Sequence, residues 1–107
     1  MHPIERLRYV ARASGADQAL LVQETAHALG AFRDDPAGLV AACRRVLDRH
    51  PTSGALWSLC ARVLTATEPG AEAWAVIDEV ERDATVVELA HALPEDATVC
   101  VVGWPEV

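Results

Sequence analysis

The chain has no lysine. Its nine cationic residues are all arginine, set against sixteen acids, for a net charge of −7 over 107 residues. That balance argues against a nucleic-acid surface, which needs a basic stripe. No apolar run approaches the roughly 20 residues a membrane span requires, and Met1-His2-Pro3-Ile4-Glu5-Arg6 lacks the apolar core of a secretion signal. These absences lead us to expect a cytoplasmic protein with neither a membrane nor a nucleic-acid partner. Cysteine is scarce too. Cys43, Cys60 and Cys100 are odd in number, far apart and set among apolar residues. They read as buried thiols of a reducing compartment, not as a disulfide or metal framework. The histidines, His2, His27, His50 and His91, contain no pair at the i, i+4 spacing of a helical metal site. Ser14, Ser53 and Ser58 lack the strand–elbow–helix setting of an acyl-transfer nucleophile. No catalytic set assembles, and no metal or cofactor is expected.

What is present is the composition of one globular domain: 51% apolar and 23% charged residues. A chain of this length can bury about two-thirds of its extended surface. The charge is uneven. Residues 1–62 hold eight arginines and six acids, whereas residues 63–107 hold one arginine and ten acids. The acids Asp78, Glu79, Glu81, Asp83 and Glu88 have no calcium-loop spacing and read as a solvated face.

Period and punctuation place about six helices. Ile4, Leu7, Val10 and Ala11 mark the first, ended by Ser14-Gly15. Asp17 caps a second, traced by Leu20, Leu21, Glu24, Ala28, Leu29 and Phe32 to about Arg33. Asp35-Pro36 opens a third, with an acceptor for the orphan N–H groups and a proline at the first helical position. Leu39, Val40, Cys43, Val46 and Leu47 form its stripe, and Pro51 stops it. Thr52 or Ser53 caps a fourth with inner face Leu56, Leu59, Cys60, Val63 and Leu64. Pro69 restarts the chain through Trp74, Ile77 and Val80. A short helix then runs from Val86 to Leu93 and ends at Pro94-Glu95-Asp96. The stretch Thr98-Val99-Cys100-Val101-Val102-Gly103 reads as a buried strand, and no earlier segment offers it a partner. The expected fold is therefore mainly α: a helical bundle over residues 1–96, then one strand within 97–107. That strand reads as the first of an α/β domain, missing or supplied by a partner.

One segment invites a ligand: Arg49-His50-Pro51-Thr52-Ser53-Gly54. Free N–H groups and the positive dipole end of a helix attract phosphate, and Arg49 and His50 add cationic contacts. Arg49, His50, Thr52, Ser53 and Gly54 are the expected site for a sugar phosphate or another anion.

Pro51-Thr52-Ser53-Gly54-Ala55-Leu56-Trp57 also resembles the Arg-Pro-Thr-Ala-Val-Asn-Leu-Phe helix start of the translation initiation factor 2B α/β/δ superfamily. That superfamily includes the methylthioribose-1-phosphate and ribose-1,5-bisphosphate isomerases. Gly15-Ala16-Asp17-Gln18-Ala19-Leu20 resembles its Arg-Gly-Ala turn, and the layout of helices leading to a strand is similar. The lack of lysine with abundant Ala, Arg and Asp suggests a GC-rich, actinobacterial-type relative. The resemblance implies a helical domain that helps hold a substrate phosphate or assembles subunits, with catalysis in an α/β domain beyond this sequence. Two positions depart from the pattern: His50 stands at the arginine before Pro-Thr, with Arg49 one residue earlier, and Ser14 stands at the arginine of the Gly-Ala turn. The alternatives are an adaptor similar to tetratricopeptide repeats, with residues 36–50 and 53–67 as one hairpin, and a dimerisation module. In either, the partner is a protein or a second copy of the chain.

Overall fold

The computed structural model of the protein describes residues 3–5 and 18–100. Residues 3–5 are helical. The rest of the expected first helix, the Gly15 turn and the Asp17 cap lie outside the described residues. Five helices follow: α1 (Gln18–Gly30), α2 (Pro36–Arg49), α3 (Gly54–Thr65), α4 (Pro69–Glu81) and α5 (Thr85–Ala92).

Local chemistry sets their starts. The Asp35 carboxylate accepts from the Gly38 N–H at 3.0 Å, with Pro36 in the first turn. Gly38 leaves room for that cap, because a Cβ there would collide with the Asp35 carboxylate. The Ser53 hydroxyl accepts from the Leu56 N–H at 3.3 Å and so caps α3.

α1 packs most extensively on α4, α4 also packs on α3, and α2 lies against α3 and α1. Ser53 Oγ donates to Gln18 Oε1 at 2.6 Å, which puts the starts of α1 and α3 at one end. His27 and Arg33 of the α1 end lie against Trp74 and Gly70 of the α4 start. The four helices therefore run up, down, up, down around Leu29, Val46, Leu56, Leu59 and Val63, each 1% exposed or less. Burying side chains of this size stabilises by about 1.5–3 kcal/mol each.

Several inner-face assignments shift. Trp74 is 65% exposed, whereas Ile77 faces the core as expected, joined by Ala73 and Val76. The α1–α4 seam is lined by small residues such as Ala26 and Ala73, and the wide indole turns to its edge. Leu20, Val40 and Leu64 also point outward, and Cys100 is exposed where a buried thiol was expected. The expected strand is not seen among the described residues. Residues 97–100 carry no strand, residues 101–107 lie outside the described residues, and no described segment offers the ladder that a strand requires. Instead the Ala97 N–H donates to the Pro94 carbonyl at 3.1 Å and turns the chain.

Candidate functional site

The five residues expected to bind an anion share the turn between α2 and α3. Arg49 ends α2 and is exposed, while His50 caps it and its N–H donates to the Val46 carbonyl at 3.0 Å. Arg49 and His50 each have an interaction partner. Thr52 is exposed, and nothing approaches the Cβ position of Gly54 within 4 Å. Ser53 differs from these: it is 8% exposed, and its hydroxyl both caps α3 and holds Gln18. The cap occupies a donor that an incoming phosphate would use, and the negative dipole end of α2 lies in the same turn. Trp57 covers the turn, its Nε1–H donating to the Pro51 carbonyl at 2.9 Å. The geometry is a capped, outward-facing corner.

A groove of about 400 Å³ lies between α1 and α4, lined by His27, Gly30, Arg33, Gly70 and Trp74 among others. His27 meets Trp74 edge-on, with ring centroids 5.2 Å apart. Arg33 pairs loosely with Asp34 at 3.6 Å. Among the described residues no nucleophile sits beside a base there. Among the described residues no three potential metal ligands cluster, and no helix is long and apolar enough to cross a membrane.

Two polar clusters link α3 to its neighbours. Arg62 of α3 donates from Nε to Glu72 at 2.7 Å, and its two terminal nitrogens reach both oxygens of Glu79 at 2.6 and 3.0 Å. These carboxylates push the Arg62 pKa up, and the guanidinium holds Glu79 below the usual carboxylate range. Glu79, expected on a solvated face, is a clamp to α3. Buried Cys43 and Cys60 touch across α2 and α3, the Cys60 thiol raised by its hydrogen bond to Cys43 and by burial.

The feature least foreseen is α5. Every residue from 81 to 100 is exposed, and among the described residues α5 makes no packing contact with another helix. Yet α5 is strongly apolar. Val86, Leu89, Ala90 and Leu93 recur at i, i+3, i+4 and i+7, and Val86, Leu89 and Leu93 are 48%, 59% and 40% exposed. Asp83 stands at its start, accepting from both the N–H and the hydroxyl of Thr85, which lowers the Asp83 pKa. The signal in the sequence was a helix apolar enough for a core but preceded and followed by acids and proline. Periodicity alone does not say which chain supplies the covering surface. The chain matches no family model, no curated protein and no solved structure.

Proposed function

We propose that this chain is a non-catalytic helical assembly domain that docks through α5. The reading places it near the helical domains of the initiation factor 2B and sugar-phosphate isomerase proteins that its Pro51–Trp57 and Gly15–Leu20 segments resemble. The observation that carries it is an apolar helix standing clear of its own bundle. Isolated helices shorter than about 12–15 residues are marginal in water, so α5 needs a covering surface to persist. Contiguous exposed apolar surface of this kind marks an interaction site. The competing reading, a repeat adaptor with an open groove between hairpins, is less favoured because α1 closes onto α4.

The experiment is a full-length variant carrying Val86→Ser, Leu89→Ser and Leu93→Ser. If α5 serves docking, the bundle melts at the wild-type temperature and association is lost. If α5 belongs to this chain's own core, melting falls by well over about 10 °C, since each buried leucine is worth several kcal/mol in a domain of this size.

A role for the α2–α3 turn in holding a phosphate keeps one supporting observation: Arg49, Thr52 and Gly54 are exposed together at the start of α3. Its test is a phosphate titration followed by amide NMR. Saturable shifts over Arg49–Gly54 that vanish in Arg49→Ala, with helix content unchanged, support it. Flat shifts at millimolar phosphate remove it and leave assembly as the function.

A further inference from the structure

We infer that the surface covering α5 is the outer α2/α3 face of a second copy of this chain, so that two copies exchange arms about a two-fold axis. The inference rests on the assembly reading and names its partner.

The receiving face follows from helical phase. Arg62 turns from α3 toward α4, and Trp57, Ala61 and Leu64 recur at i, i+4 and i+7 on the opposite flank of α3, toward α2. Trp57 is 53% exposed and Leu64 43% exposed. On α2, Val40 and Arg44 sit one turn apart, both exposed. The result is an apolar strip with an arginine at its margin. It also fits α5 in length: Trp57 to Leu64 and Val86 to Leu93 each advance seven residues, about 10 Å along a helix.

Charge selects this partner. Of the four arginines in residues 36–65, Arg62 is taken up by Glu72 and Glu79 and Arg49 has a partner. That leaves Arg44 and its neighbour Arg45 to face the five acids and one arginine of residues 81–100. Arg44 and Arg45 make no ion pair among the described residues. An acidic apolar arm and a cationic apolar strip on the same molecule are complementary to each other and each repels its own kind. Within one chain the arm leaves the strip uncovered, because α5 contacts neither α2 nor α3. It leaves α4 at the end of the bundle where α3 begins, the end that carries Trp57. Two copies meeting at that end bury two arms and two strips at once, the closed, isologous arrangement of an exchanged dimer.

The test is sedimentation velocity on the full chain over a concentration series at low and high salt, with two variants. Leu89→Asp disables the arm, and Arg44→Glu with Ala61→Glu disables the strip. All three positions are exposed, so bundle melting serves as the control for folding. The inference expects a reversible wild-type dimer that weakens with salt, and at least about a tenfold rise in dissociation constant for either variant. It also expects the two variants mixed together to regain dimer, because the strip variant keeps a sound arm and the arm variant a sound strip. A wild-type chain that stays monomeric overturns the second copy as partner, while the melting test still decides the assembly reading. A dimer lost in Leu89→Asp but unaltered by the strip variant, or no recovery on mixing, overturns the assigned face. A dimer indifferent to both variants overturns this inference and, with it, docking through α5.

Discussion

Thr25 lies at 0% exposure in α1, and its hydroxyl has no hydrogen-bond partner. A buried unsatisfied hydroxyl costs about 1–3 kcal/mol, and valine has nearly the same shape. Thr25→Val is therefore expected to stabilise the bundle by about 1 kcal/mol, raising the melting temperature by about 5 °C in a thermal scan; a drop would mean the hydroxyl has a partner in solution. Ser53→Ala removes both the α3 cap and the link to Gln18, and should destabilise by about 1–2 kcal/mol in a urea titration. Ellman-type titration should find Cys100 reacting at once in the native protein. Cys43 and Cys60, each 1% exposed, should react only as the bundle unfolds. The caps at Asp35 and Ser53 were legible in the sequence because a cap is a contact across three residues. The Arg62 clamp was not, because its partners lie ten and seventeen residues away. Thr25 was not legible either, since nothing local marks a threonine as lacking an acceptor.

At the scale of the element, α5 depends on Asp83. Its carboxylate holds the Thr85 N–H and hydroxyl, and this lowers its pKa below the ordinary 3.8. A carboxylate with a depressed folded pKa stabilises above its unfolded pKa, and the contribution fades as pH falls through the folded value. Helical signal from residues 85–92 should accordingly decline as pH drops below about 4, while the bundle persists. Asp83→Asn should flatten that decline when followed by α5 amide shifts. The extents of α2 to α5 were readable to within a residue or two, because proline, capping residues and period agree at each boundary. Their inner faces were less so. Trp74, Val40 and Leu64 belong to apolar stripes on the wheel, yet a seam of small residues turns Trp74 out and all three face solvent. The β-rich run forms no strand over residues 97–100, since such a run becomes a strand only where another supplies the ladder, and residues 101–107 lie outside the described residues.

The described residues divide into a bundle of α1 to α4 and an arm, α5, that packs on none of them. The sequence foretold a bundle and an acidic second half; it did not say that residues 81–100 leave the bundle, because apolar periodicity reports that a face will be buried and not by whom. The site expected at Arg49–Gly54 was legible as a helix start, and its use as a cap bound to Gln18 came only from tertiary structure. Whether α5 is a docking helix or part of this chain's core is decided by amide hydrogen exchange across a protein dilution series. Amides of residues 56–63 should stay protected at every concentration. Those of residues 88–92 should exchange almost freely in dilute solution and gain protection as the chains associate. Protection of α5 equal to that of α3 in a dilute monomer would place α5 in this chain's own core and rule out docking through it.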